Sequence, residues 1–190
     1  HGAVTRADLL RYAYEDLLTR PTFAAADDRE LGEPAVRNVS NLLANYLPVR
    51  LQSLLRTAGA VADDVGTRIY TVGGFVRDLL LRHENLDVDL VVEGDGIAFA
   101  EKLSARLSAK VTSHRKFGTA LLTLPDGFKV DVATARTEYY EYPAALPTVE
   151  HSSMKMDLYR RDFTVNALAV CLNGDRYGEL LDFFGGQRDL

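Results

Sequence analysis

The sequence has little of what a secreted or membrane protein needs. It contains one cysteine, Cys171, so no disulfide can form within the chain, and scarce cysteine is typical of proteins in reducing compartments. No apolar run approaches the roughly 20 residues of a membrane-spanning helix, and the first residues show no signal-peptide pattern. We therefore expect a cytoplasmic protein without membrane contact, in which Cys171 is a small buried hydrophobe.

An excess of positive charge is also missing. The 22 lysines and arginines are outnumbered by 27 aspartates and glutamates, which gives a net charge of −5, whereas nucleic-acid-binding domains usually carry a basic patch or stripe. Any contact with nucleic acid must therefore be local or lie outside this chain. Because the chain begins with His1 rather than Met and stops in a turn-like segment, we expect both ends to be cuts in a longer protein.

The chain is long enough for one well-buried domain, since 47% of its 190 residues are hydrophobic. We divide it into a short strand and helix over residues 1–20, a linker with helices over 21–66, and a main domain over 67–190. In the main domain short strands alternate with helices, and Pro125-Asp126-Gly127 forms a hairpin turn. This order predicts an α/β protein with a mixed sheet and helices packed on it.

Local patterns predict the elements of secondary structure around the chemistry. Helical spacing of apolar residues over 35–65 predicts two helices divided at Pro48, which disfavours helix geometry in the preceding residue. Residues 86–92 are predicted as a strand and 157–166 as a helix. Residues 136–150, rich in Tyr, Glu and Pro, are predicted as a loop.

A pair of glycines forms the first candidate site, in the run Val72-Gly73-Gly74-Phe75-Val76-Arg77-Asp78 between a predicted strand and helix. Glycines let a phosphate approach the backbone, and a helix N-terminus offers free N–H groups. Arg77 could add a charged donor. An ordinary turn with a surface pair of Arg77 and Asp78 explains the run equally well, because the three spaced glycines of a dinucleotide site are missing.

Three aspartates in predicted strands form the second candidate site. Asp87 and Asp89 alternate in one strand and so point to the same face, beside apolar residues where uncompensated charge is costly. Mg²⁺ binds such carboxylates together with substrate phosphates. Asp131 joins them if its strand lies next to theirs. The alternatives are a solvent-exposed acid pair and an outward-facing Asp131 on an edge strand.

Adjacent arginines form the third candidate site, in the run from Asp157 to Ala167. Arg160 and Arg161 could bind a triphosphate or a base edge. In the alternative, they are a salt-bridged helix face, paired with Asp157 and Asp162.

The order and spacing of these segments resemble the head-domain signature of class II tRNA nucleotidyltransferases and bacterial poly(A) polymerases. The resemblance covers residues 67–190, and Asp182, Gly185, Gly186 and Asp189 look like the family's junction between head and neck. It implies a polymerase-β-like nucleotidyltransferase head domain preceded by a helical linker.

The resemblance also implies roles for single residues. Asp87 and Asp89 would bind two Mg²⁺ ions, and Asp131, a position that is often Glu in the family, would complete the catalytic acids. The residues implied in nucleotide binding are Gly73, Gly74, Arg77, Asp78, Arg136, Arg160, Arg161, Asp162 and Asn166.

The implied reaction is transfer of AMP, or also CMP, from a nucleoside triphosphate to the 3′ end of tRNA. Residues 2–10 resemble the closing strand and helix of a CBS domain, which some A-adding enzymes carry before the head, so the resemblance favours an A-adding over a CCA-adding enzyme. Two alternatives stay open, namely a poly(A) polymerase and a CBS-type nucleotide-sensing module with an inactive head. In the family the base-selecting residues lie beyond Leu190, so the sequence leaves base choice and oligomeric state open.

Overall fold

A computed structural model describes residues 32–139 and 148–190. The strands of this part are β1 Ala35–Asn38, β2 Arg68–Val72, β3 Val88–Glu93, β4 Lys110–His114, β5 Thr119–Thr123, β6 Lys129–Thr134, β7 Arg136–Tyr139, β8 Thr148–His151, β9 Leu168–Cys171 and β10 Glu179–Asp182. The α-helices are α1 Ser40–Tyr46, α2 Val49–Val65, α3 Gly74–Leu81, α4 Gly96–Leu107 and α5 Met154–Tyr159.

Eight of these strands form one mixed sheet in the order β1-β10-β9-β2-β3-β6-β5-β4, while β7 and β8 pair with each other. Neighbouring strands are antiparallel except β3 and β6, which run parallel. The predicted mixed sheet with packed helices is confirmed. No helix within residues 32–139 or 148–190 is long and apolar enough to cross a membrane.

The two faces of the sheet are covered differently. Alternate strand residues such as Leu90 and Val132 face a large apolar core formed with α1 to α4, while Val91 and Ala169 face a smaller core with α5. Cys171 is fully buried in the smaller core, as predicted from its apolar surroundings.

The long helix α2 has the two boundaries expected from the sequence. Pro48 separates it from α1, and Gly66 ends it in a left-handed conformation with φ of 69°, donating its N–H to Ala62 and Asp63. Its buried residues recur at helical spacing and pack on the large core. The described part of residues 32–190 forms one compact unit, so α1 and α2 belong to the core of the domain. Residues 1–20, predicted as a CBS-like piece, lie outside the described residues.

Two boundary predictions are wrong because tertiary pairing overrides the local pattern. Residues 35–38, predicted as the start of a helix, form edge strand β1, in which Ala35 pairs with Asp182 of β10. The predicted loop 136–150 contains β7 and β8, which bond to each other. The partner of β1 is distant along the chain, whereas β7 and β8 pair within one segment, and in both cases pairing decides the strand.

Two further predictions at the candidate site itself are wrong in their bounds. The predicted helix 157–166 is α5, which ends at Tyr159, followed by a separate three-residue 3₁₀ turn, Thr164–Asn166. The predicted strand 86–92 begins at Val88, so Asp87 lies just before it. The backbone N–H of Asp87 bonds to the side chain of Asn85 (2.8 Å) in a local turn.

Candidate active site

The parallel pairing of β3 and β6 brings two of the predicted acids side by side. Asp89 and Asp131 are direct partners in the register. Their strand neighbours Leu90 and Val132 face the large core, so both carboxylates point to the opposite face. The sequence-based condition that the two strands be neighbours is therefore met, and Asp87 lies one residue before β3.

The acids repel one another on this face. Burial raises the pKa of Asp89, the charges of Asp87 and Asp131 raise it further, and Arg161 opposes the shift. Burial and the charge of Asp87 also raise the pKa of Asp131, while Lys129 opposes. Like charges this near one another disfavour the ionised form of each carboxyl.

The carboxylate oxygens of this site suit a hard cation that takes its remaining ligands from substrate phosphates and water. Within the two described ranges, no three or more His, Cys, Asp or Glu side chains are arranged to hold a metal ion by themselves. Mg²⁺ is usually held by one or two carboxylates together with substrate phosphates and water. Asp87 and Asp89 suit that mode, and the metal-binding role stays a prediction.

The glycine turn lies beside an arginine from another element. Gly73 has φ of 70° and precedes α3, and a Cβ built on it would lie 3.1 Å from Nη1 of Arg161. A side chain at position 73 would therefore be strained and crowded. Arg161 also lowers the pKa of Asp89, so this arginine is near the glycine turn and acts on one of the acids.

Asp157 holds both arginines from within the protein. Its fully buried carboxylate accepts from Nε and Nη2 of Arg160 (3.1 and 2.8 Å) and from Nη2 of Arg161 (3.0 Å). It also accepts from the backbone N–H of Arg136 at 3.4 Å. The alternative of a salt-bridged helix face is therefore right that Asp157 is a partner of the two arginines. The ion pairs, however, are anchored on a carboxylate in the core. Asp162, its other suggested partner, is exposed.

Sequence reasoning missed the anchoring role of Asp157. Its spacing of three and four residues from Arg160 and Arg161 would have indicated that both reach it from one helical turn. The arginine side chains are 26% and 19% exposed, so neither is closed off from solvent. Nε of Arg161 is buried and has no hydrogen-bond partner among the described residues. Such a donor is costly, and an anion bound at the turn of Gly73 would be positioned to satisfy it.

Three predicted nucleotide-binding residues form a neighbouring group. Arg77 donates through Nε and Nη2 to Asp78 (2.8 and 3.0 Å) and through Nη1 to Oδ1 of Asn166 (2.9 Å). The bond from Arg77 is the main cause that holds the pKa of Asp78 below its usual value, with Asn85 adding to it. Direct contact of these three with nucleotide stays a prediction, because most of their bonds are to one another.

Arg136 is placed through the same anchor as the arginine pair. Besides its backbone bond to Asp157, its Nη1 donates to the carbonyl oxygen of Phe117 at 3.1 Å. The loop that follows Arg136 reaches residues 140–147, outside the described part. Its predicted action on the nucleotide stays a prediction.

The junction signature folds into a tight turn around Asp182. Burial raises the pKa of this carboxyl, but the N–H groups of Gln187, Gly186 and Phe184 outweigh burial and hold the pKa below its usual value. Asp189 accepts a short hydrogen bond from the hydroxyl of Thr164. This ties the end of the chain to the 3₁₀ turn that carries Asn166.

The segment that carries the acids, the glycine turn and the arginine pair matches a known family. Residues 69–190 match the family model of the poly A polymerase head domain. The chain belongs to this family. Membership agrees with the resemblance drawn from the spacing of the motifs.

Relatives in the family are named as tRNA nucleotidyltransferases. The A-adding tRNA nucleotidyltransferase of Geobacter sulfurreducens is 53% identical over the whole of this chain, which spans 22% of that relative's length. An apo form of a CCA-adding enzyme is 52% identical over 81% of this chain and 36% of its own, with a TM-score of 0.77. The Thermotoga maritima CCA-adding enzyme complexed with tRNA is 46% identical over 81% of this chain and 34% of its own, with a TM-score of 0.72.

Proposed function

We propose that this chain is the catalytic head of an A-adding tRNA nucleotidyltransferase, which transfers AMP from ATP to the 3′ end of tRNA. The observation that carries the proposal is the register of β3 and β6, which sets Asp89 beside Asp131, with Asp87 just before the strand. Arg161 lies against the glycine turn and lowers the pKa of Asp89. Acids and phosphate-binding groups on one face are what transfer of a nucleotidyl group requires.

In the proposed reaction the terminal 3′-hydroxyl of the RNA attacks the α-phosphate of ATP. A new phosphodiester bond forms, the bond to the β-phosphate breaks, and pyrophosphate leaves with its electron pair. Asp87 and Asp89 would hold two Mg²⁺ ions, which supply activation of the hydroxyl and neutralise charge on the leaving group. Gly73, Gly74 and Arg161 hold the triphosphate in line, so that the protein contributes mainly positioning and charge stabilisation.

Base choice is the finer part of the proposal. The relative that this chain matches along its whole length is an A-adding enzyme, and this supports adenylate addition over synthesis of the full CCA end. A CCA-adding enzyme is the second candidate, because the similar solved structures carry that name. The CBS-like start at residues 2–10 remains a prediction that favours the first.

A primer-extension assay with the full-length parent enzyme tests the function. It uses Mg²⁺, ATP or CTP, one tRNA ending in CC and one lacking the whole CCA end. We expect A to be added to the CC-ended tRNA alone, and C to neither. Completion of both tRNAs to CCA would replace the A-adding proposal with a CCA-adding one. Long A tracts would indicate a poly(A) polymerase, and no metal-dependent turnover on any substrate would favour the nucleotide-sensing alternative.

A further inference from the structure

A chain of hydrogen bonds runs behind the candidate active site and ends at one of its acids. It starts at Asn166, which accepts from Arg77, and passes through the paired Arg77 and Asp78 of α3. Nδ2 of Asn85 then donates to Oδ2 of Asp78 at 2.7 Å. Finally, Oδ1 of Asn85 accepts the backbone N–H of Asp87 at 2.8 Å.

The sheet does not fix Asp87 by itself. The registers of β3 with β2 and β6 extend no further toward the N-terminus than Val88, and Asp87 is exposed. Its conformation therefore depends on the turn that precedes the strand. In that turn the side chain of Asn85 bonds the N–H two residues on, a geometry that asparagine favours.

The side-chain amide of Asn85 is used at both ends. Its N–H₂ group donates to a carboxylate that Arg77 also holds, and its oxygen accepts a backbone N–H. These two bonds fix the orientation of the amide. If its oxygen and nitrogen were exchanged, the oxygen would face the Asp78 carboxylate and the N–H₂ group would face the backbone N–H of Asp87. An aspartate or a leucine at this position could not make both bonds.

We propose that Asn85 is a positioning residue, which ties the backbone of Asp87 to α3 and so aims the Asp87 carboxylate at its metal. The inference rests on the proposed function, in which Asp87 and Asp89 are metal ligands. In this arrangement Arg77, Asp78 and Asn166 act on the metal through Asn85. The glycine turn at the start of α3 and the acid before β3 then move as one unit.

The expected consequence is a loss of metal affinity with little loss of stability. Residues that orient metal ligands typically change affinity or activity by about 10- to 100-fold when they are replaced. Asn85→Ala should therefore raise the Mn²⁺ dissociation constant, and the Mg²⁺ concentration for half-maximal AMP transfer, about tenfold. The KM for ATP at saturating Mg²⁺ should stay within about twofold, because Gly73, Gly74 and Arg161, which hold the triphosphate in the proposed reaction, do not belong to the chain of bonds that Asn85 completes.

Asn38 offers a matched control on the far edge of the sheet. It makes the same kind of turn, accepting the N–H of Ser40 at 2.9 Å, and its amide donates to the carbonyl oxygen of Tyr177 at 3.2 Å. Asn38→Ala removes this pair of bonds from the end of β1, and also a third bond, which the hydroxyl of Ser40 donates to Oδ1 of Asn38 at 2.6 Å. It should lower the melting temperature at least as much as Asn85→Ala and leave the metal dependence at the native value.

The experiment measures Mn²⁺ binding by electron paramagnetic resonance on the full-length enzyme, with a non-hydrolysable ATP analogue present. We compare the native protein with its Asn85→Ala, Asn38→Ala and Asp87→Asn variants. A Mn²⁺ dissociation constant for Asn85→Ala within twofold of the native value, together with weakened binding by Asp87→Asn, would overturn the role of Asn85 alone. Unchanged binding by Asp87→Asn would instead overturn the metal assignment in the proposed function.

Asn85→Ser separates the local turn from the longer chain of bonds. A serine hydroxyl can still accept the Asp87 N–H but is too short to replace the bond to Asp78. We expect a Mn²⁺ affinity between those of the native protein and Asn85→Ala. Full recovery by serine would show that the turn suffices, and would overturn the proposed link to α3.

Discussion

Two groups of aspartates in this domain differ in what surrounds them. Asp157 and Asp182 are buried and held by several donors. Asp89 and Asp131 lie side by side, and each has its pKa raised by burial and by the charge of a neighbouring acid. The first arrangement stabilises the fold, whereas the second places like charges together at a cost. Acids that the fold leaves in mutual repulsion are therefore the better candidates for chemistry.

The largest expected effect comes from removing one of the repelling acids. Asp89→Asn should slow AMP transfer by three to four powers of ten, because a lost metal ligand removes several kcal/mol of charge stabilisation. Its melting temperature should equal or exceed that of the native protein, since the substitution relieves repulsion. Transfer assays and thermal denaturation measure the two effects. Near-native turnover would contradict the metal assignment of Asp89.

Removing an acid that is buried and hydrogen-bonded should instead lower the stability of the fold. Asp157→Ala leaves Arg160 and Arg161 without their shared buried partner, and breaking buried pairs of this kind costs about 3 kcal/mol or more. Chemical denaturation measures the loss. The control is Asp162→Ala at an exposed position, expected to change stability by less than about 0.5 kcal/mol. Equal free energies of unfolding for Asp157→Ala and Asp162→Ala would contradict the difference drawn between a buried, hydrogen-bonded acid and an exposed one.

A smaller effect is expected at Gly73, which lies against Arg161, the arginine that bonds to Asp157 and acts on the pKa of Asp89. Gly73→Ala imposes a positive φ on alanine and crowds Arg161, at a cost of about 2 kcal/mol. Gly127 also has positive φ, but a Cβ there meets nothing within 4 Å, so Gly127→Ala reports the backbone cost alone. Both variants should lose stability, and Gly73→Ala should also lose affinity for ATP in equilibrium binding. Equal ATP affinities for the two variants would contradict a role of the glycine turn in binding the triphosphate.

The smallest effect is a dependence on pH that marks Asp182 as a held acid. Because its pKa is lowered in the folded state, its charge adds stability above the unfolded pKa of about 4, and this stability is lost as the pH falls through the folded value. Asp182→Asn should therefore be destabilised at pH 7 by about 1 kcal/mol. The difference in melting temperature from the native protein should shrink below pH 4. A difference that does not change with pH would contradict the held charge.

Much of the site could be read from residue types and spacing. The alternation of Asp89 with buried Leu90 predicts that the carboxylate leaves the core. The glycine pair and Arg161 are likewise predicted from the sequence as phosphate-binding groups. Spacing could not show that Gly73 and Arg161, far apart in the chain, approach within contact distance. It also left open whether β6 is a neighbour of β3 or an edge strand.

The same limit explains the errors in the elements. The sequence of residues 35–38 fits a helix as well as a strand, and pairing with β10 decided between them. Asp157 looked like one member of a surface ion-pair network, because local spacing carries no information about burial. Its burial follows from the packing of α5 on the sheet.

The sequence by itself determined the chemistry that is present: the carboxylates, the phosphate-accommodating glycines, the arginines and the alternation that keeps them out of the large core. Those properties depend on residue type and on the periods of strands and helices, which are local. Only the tertiary structure decided which carboxylates are satisfied and which repel. That outcome depends on the distances between groups from different elements, such as Asp157 with Arg136 and Asp89 with Asp131, and these distances exist only once the strands and helices have packed.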